Sequence, residues 1–145
     1  MGATRFSMEY AMPRFSSLIM AACVFLAACS PEDRVSRGAV LYSENCAICH
    51  GGDLRGGGGI GVVGLNKVPT DLTTLAVRSG GDFPRGEVLA LLNDYAAGVQ
   101  PGRLMRPFAH LTSQDTERIK TEQGRTRIPA PQAALLAYLE ASQLP

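Results

Sequence analysis

The chain has 145 residues, of which 46% are hydrophobic and 19% charged, and its formal net charge is +1. That length suits one domain and leaves no room for two. Near-neutral charge argues against a nucleic-acid-binding surface, and no apolar run reaches the roughly 18 residues that a membrane-spanning helix needs.

The first element is the apolar run from Phe15 to Ala28, which follows Arg5 and Arg14 and closes on Leu26-Ala27-Ala28-Cys29. A basic flank, a short apolar stretch and small residues before a cleavage point describe a secretory signal peptide. The closing tetrad resembles the lipobox of bacterial lipoproteins, in which the cysteine is acylated and becomes the mature N-terminus. Met20-Ala21-Ala22-Cys23 fits less well, because the apolar run continues past it. The alternatives are a plain secretion signal that leaves Cys29 a simple thiol, or an uncleaved anchor. The expected organisation is a signal segment over 1–28, a short tether over 29–34 lipidated at Cys29, and one domain over 35–145. The domain would then lie in the periplasm or at the cell exterior, held at a membrane. Loss of Arg5, Glu9 and Arg14 with the signal leaves twelve basic and twelve acidic residues.

Ser30-Pro31-Glu32-Asp33 reads as a helix start, with Ser30 as cap, Pro31 in the first turn and Asp33 closing a capping box. Helical spacing continues to Cys46 and sets Val35, Gly38, Ala39, Tyr42 and Cys46 on one face. Gly38 weakens a helix, so its expected use is close packing against another helix.

Next comes Cys46-Ala47-Ile48-Cys49-His50, the C-x-x-C-H form of a covalent haem c site. Two thiols three residues apart reach the two vinyl groups on one porphyrin edge as thioethers, and the adjacent histidine projects beneath the iron. A thioredoxin-like dithiol would need a βαβ setting, whereas this pair follows a helix and precedes a glycine-rich loop. A closed zinc site needs four ligands, and His110 and the thioether Met105 are the remaining soft groups outside the export segment.

Residues 51–69 read as a loop, followed by a short helix that Asp71 can cap and Gly80-Gly81 stops. A further helix is expected from Pro84 to Gly98, carrying Val88, Leu89, Leu91, Leu92 and Tyr95 inward. Residues 99–116 are loop. A β-hairpin is expected at about 117–129, turning at Gln123-Gly124, which pairs Ile119 with Ile128, Thr121 with Thr126 and Lys120 with Arg127. Pro129 and Pro131 precede a last helix, from Gln132 to Ser142, with Leu135, Leu136, Tyr138 and Leu139 apolar. The fold class is all-α with one small β excursion.

With these motifs in place, the chain over residues 34–145 resembles a class I cytochrome c. Gly38 and Tyr42 stand where that family packs a glycine and an aromatic against its C-terminal helix, here through Leu135, Leu136, Tyr138 or Leu139. The His50-Gly51 step and Pro69-Thr70-Asp71-Leu72-Thr73 also fit. The resemblance implies a downstream methionine as sixth iron ligand, and Met105 is the methionine that follows the export segment. Phe108 stands at the family's offset from it, while Pro107 is displaced by one position. His110 is a competing ligand or a surface histidine.

The function so implied is electron transfer by one haem c with His50 and Met105 on the iron. Partners are other redox proteins (an oxidase, reductase or dehydrogenase), with no small-molecule substrate, no enzymatic activity and no nucleic acid. The alternatives are a haem-bearing subunit of a larger complex, or a ligand-binding or peroxidase-type protein with an open iron position. The hairpin is expected over one haem edge. There its outward Arg118, Lys120, Arg125 and Arg127, with Arg103 and Arg106, would form a basic patch that steers an acidic partner, unless these charges only solvate a loop.

Overall fold

Ser30 opens the folded chain in the way its sequence dictates. Its hydroxyl accepts a hydrogen bond from the Asp33 N–H at 3.2 Å, and the Asp33 carboxylate accepts from the Ser30 N–H at 3.0 Å. The computed structural model describes residues 30–57, 67–99, 105 and 109–145. In chain order these form α1 (Pro31–Asn45), α2 (Ala47–His50), α3 (Leu75–Arg78) and α4 (Arg85–Ala96), then a 3-10 turn (Ala109–Leu111). The hairpin β1 (Thr116–Thr121) and β2 (Gly124–Pro129) and the final helix α5 (Ala130–Ala141) complete the order. Because α1 starts at Pro31, residues 31–34 are its first turn.

The framework is the crossing of α1 and α5. Gly38 makes it possible. A Cβ at that position would lie 2.6 Å from the Tyr138 Cβ and would collide with the Ala134 carbonyl, so a hydrogen is the largest group the contact admits. One turn further along α1, Tyr42 is 2% exposed, and its ring meets that of Tyr138 at a centroid separation of 5.4 Å.

α5 is apolar nearly all round, and a helix of that kind must be covered on two faces. Leu135 and Leu139 enter a core with Tyr42, Leu54, Tyr95 and Leu111, flanked by Tyr138, Cys46 and Met105. On an adjoining face of the helix, Ala133 and Leu136 join a second core with Leu89 and Ile128, flanked by Ile119 and Leu92. The hairpin is therefore the cover of this second face of α5. It is fastened by Glu117, whose carboxylate accepts from Arg34 at 2.6 Å and from Arg37 at 3.0 Å, both on the first turns of α1. At its other end Arg85, the first residue of α4, pairs with Glu140 of α5, and Glu122 accepts the Gly86 N–H at 2.8 Å.

Three expectations need correction. The hairpin exists at the expected place, but its register pairs Ile119 with Thr126, Lys120 with Arg125 and Arg118 with Arg127, a slip of two residues. Thr121 and Gly124 form the last pair, so Glu122-Gln123 is the turn, and Gly124 takes the positive φ of 124° that follows it. A two-residue slip preserves the faces, so Arg118, Lys120, Arg125 and Arg127 still share the outer one. The hairpin packs on α5 through Ile119 and Ile128 and reaches the first turns of α1 through Glu117. The Arg34–Glu117 link is twelve residues, or roughly 18 Å of helix, from Cys46. Arg103 and Arg106 fall outside the described residues. Second, Leu91 is 40% exposed rather than inward, and third, Pro131 lies inside the first turn of α5 instead of before it. Among the described residues no helix is long and apolar enough to cross a membrane.

Candidate functional site

The site begins where α1 ends. The Cys46 N–H closes the last turn on the Tyr42 carbonyl at 2.8 Å, and the chain then bends into the single turn of α2. There the His50 N–H bonds to the Cys46 carbonyl at 2.9 Å. One turn thus carries Cys46, Cys49 and His50, with both thiols free and half-buried and His50 only 8% exposed.

His50 is held from two sides. Its ring Nδ1 lies 3.1 Å from the Thr70 carbonyl; a carbonyl only accepts, so Nδ1 carries the proton and Nε2 keeps a free lone pair. Its own carbonyl accepts the Gly56 N–H at 2.8 Å. Burial lowers the ring's proton affinity, and the bond to Thr70 opposes this only in part, so the imidazole is neutral. This is the arrangement that a metal-ligating histidine needs, because the second hydrogen bond fixes tautomer and ring direction.

The loop after His50 is locked as well. Gly51 has φ of 77°, which turns its carbonyl toward the Tyr42 hydroxyl, and that hydroxyl donates to it at 2.7 Å in a buried position. Leu54 takes a left-handed φ of 65° while remaining buried, and its carbonyl accepts the Leu72 N–H at 2.8 Å. Non-glycine residues in that region carry a cost of order 1–3 kcal/mol, sustained where surrounding structure over-determines them. Here the two loop bonds and the buried side chain do so. They bring the 70–73 segment, and with it the Thr70 carbonyl, against His50.

Burial, and then the neighbouring Cys49, push the Cys46 thiol up to about 11. Catalytic C-x-x-C pairs instead lower the pKa of their attacking thiol to expose a thiolate. Cys46 also packs on the same core as Met105, together with Ala47, Leu72, Phe83 and Val88. One of the two expected attachment thiols and the expected methionine therefore share one apolar environment.

His110 is occupied elsewhere. Its Nε2 lies 2.6 Å from Asn45 Oδ1, which as an amide oxygen can only accept, and the Asn45 amide donates in turn to the Leu41 carbonyl at 2.8 Å. The residue is exposed. Asn45 and the Thr70 carbonyl are the two site groups that the sequence did not single out. A backbone carbonyl leaves no signature in side-chain identity, and Asn45 looks like any polar residue at a helix end.

The comparisons with known proteins agree with this geometry. The family model for cytochrome c matches residues 35–121, more than half of the chain, so the chain belongs to the cytochrome c family. The match takes in the C-x-x-C-H turn and Met105 and stops at the end of β1, leaving α5 beyond it. Neither the curated proteins nor the solved structures yield a match. Membership in the family implies covalently bound haem c and haem-based electron transfer, and the residues at the α1–α2 bend suit that group: two free thiols on one turn beside a buried, neutral, oriented imidazole.

Proposed function

We propose that this protein is an electron carrier of the class I type, with one haem c attached through Cys46 and Cys49 and its iron bound by His50 and Met105. It works outside the cytoplasm, held at a membrane by acylated Cys29, and exchanges electrons with other redox proteins. The observation that carries this reading is the His50 ring, pinned at Nδ1 by the Thr70 carbonyl with Nε2 free, on the same turn as the two thiols.

When bound, the haem iron supplies a one-electron couple. The chain does the rest. Cys46 and Cys49 prevent loss of the cofactor in a compartment where dilution would strip it. Thr70 and the Gly56 N–H hold His50 in one orientation, so little needs to move when charge changes. Tyr42, Leu54, Tyr95, Leu111, Leu135 and Leu139 supply an apolar wall that excludes water, and with thioether ligation such a wall favours the less charged, reduced state. Met105 at the sixth position leaves no site for substrate, which separates a carrier from a peroxidase-type or gas-binding protein.

The test is a visible spectrum of reduced and oxidised protein from an export-competent host, read with a pyridine haemochrome assay. The expected outcome is one haem c per chain, low-spin in both states, with the thioether-to-iron band toward the red in the oxidised form. A high-spin spectrum that shifts on adding small ligands would instead assign an open iron position.

A further inference from the structure

The strongest unexplained feature is the outer face of the hairpin. The register sets Arg118 opposite Arg127 and Lys120 opposite Arg125, and all four are exposed. Like charges directly opposite across a strand pair disfavour the pairing. None of the four has an ion-pair partner among the described residues. Three acids on or near the hairpin are committed: Glu117 to Arg34 and Arg37, Glu140 to Arg85, Glu122 to the Gly86 N–H, while Asp115, just before β1, is exposed. The edge of β1 continues this surface into a cavity of about 200 Å³, walled by Arg34, Arg85, Arg118 and Lys120 over an apolar floor of Ile119 and Leu136.

The position of this surface says what it meets. Its strand β1 packs through Ile119 on the core of Leu89, Ile128, Ala133 and Leu136, whereas Cys46 and Met105 flank the core of Tyr42, Leu135 and Leu139. Glu117 ties it to the first turns of α1, and Ser30 alone stands between that helix and Cys29. Whatever Cys29 is attached to is therefore close to the hairpin. Glu32 and Asp33 also lie at this end, with Asp33 engaged in the cap.

We infer that the basic outer face of the hairpin rests on anionic phospholipid headgroups of the membrane that holds Cys29. The inference rests on the membrane-anchored reading of Cys29. Cations within a Debye length of an anionic surface are attracted to it, each by about a fivefold gain in adsorption, and salt screens the effect. A single anchor leaves a domain free to tumble. Several cations around it fix which side faces the bilayer.

The chain carries its own reporters. Its lysines are Lys67 and Lys120, both exposed; Lys120 is on the basic face, and Lys67 is three residues from the Thr70 that holds His50. The haem-loaded full chain is reconstituted in vesicles of phosphatidylcholine alone or mixed with phosphatidylglycerol, and amine acylation of each lysine is followed by mass spectrometry. Lys120 is expected to react several-fold more slowly in the anionic vesicles, with Lys67 unchanged, and raised salt or the Arg125→Gln/Arg127→Gln double variant should abolish the difference. Equal Lys120 rates in both vesicles would overturn the inference. So would protection of Lys67 instead, or protection of Lys120 that appears only when an acidic redox protein is added. Failure of the anchor itself is read separately, because the mass of the mature N-terminal peptide reports whether Cys29 carries acyl chains.

Discussion

At the scale of single residues, the bend between α1 and α2 concentrates the chemistry. Cys46→Ser and Cys49→Ser should each weaken or abolish covalent haem retention, read as haem lost on unfolding and extraction. Met105→Ala should leave the haem attached but open the sixth position, lowering the midpoint potential and admitting small ligands such as cyanide or carbon monoxide. His110→Ala should leave the spectrum unchanged, because that ring is engaged with Asn45. The reverse pattern, an unchanged Met105→Ala and an altered His110→Ala, would show that the ligand is the histidine. Gly38→Ala is a different kind of change. The added methyl meets the Ala134 carbonyl, which is backbone and cannot turn aside, so the α1–α5 crossing must open. A loss of about 1–3 kcal/mol is expected, as for other overpacked contacts, seen as a lower denaturant midpoint at constant slope.

At the scale of elements, the hairpin is the part whose register the structure changes. Removing Glu117 by Glu117→Gln breaks two half-exposed ion pairs and should cost about 1 kcal/mol, the size expected of surface pairs. Its detachment should show as faster amide exchange in β1 and β2 with α1 and α2 unaffected. Glu122 gives the hairpin turn a pH response. Its own backbone N–H and that of Gly86 hold its carboxyl below its ordinary value of 4.5. A depressed folded pKa means the contribution is complete above the unfolded value and disappears as pH falls through the folded one. Thermal stability should therefore drop below about 4.5, and Glu122→Gln should flatten that part of the profile. Identical acid limbs for the two proteins would contradict this.

Much of this element order is legible in the sequence because local physics decides it. The Ser30 capping box, the Gly38 contact and the Pro84 helix start depend on neighbours within a turn or on the absence of a side chain. The hairpin's existence is legible from alternation, but not its register. Gln123-Gly124 presents the usual turn glycine, yet Gly124 serves one place later, with its positive φ in the closing pair. Its placement is not legible at all. The apolar character of α5 says that both faces are covered and nothing about which segment covers which. At the site, the C-x-x-C-H turn is fully legible, whereas the carbonyl of Thr70 reaches His50 through loop contacts 20 residues apart in the chain.

At the scale of the whole molecule, the two faces of α5 divide the labour. One completes an apolar core around the C-x-x-C-H turn; the other carries the hairpin and its cations. A domain this small buries a modest core, and a porphyrin would make up a large part of it, so folding and haem retention should be coupled. The apoprotein is expected to lose fixed tertiary structure while the haem-loaded form unfolds cooperatively, a contrast that near-ultraviolet circular dichroism resolves.

The central claim is that Cys46 and Cys49 fix a single haem beside His50. Mass spectrometry of the exported protein, unfolded in acid and organic solvent, tests it most directly. The account predicts the polypeptide mass plus one haem, with the modification confined to the peptide that holds Cys46 through His50. An exported, unfolded chain that carries no haem mass, or carries it on another peptide, would contradict it.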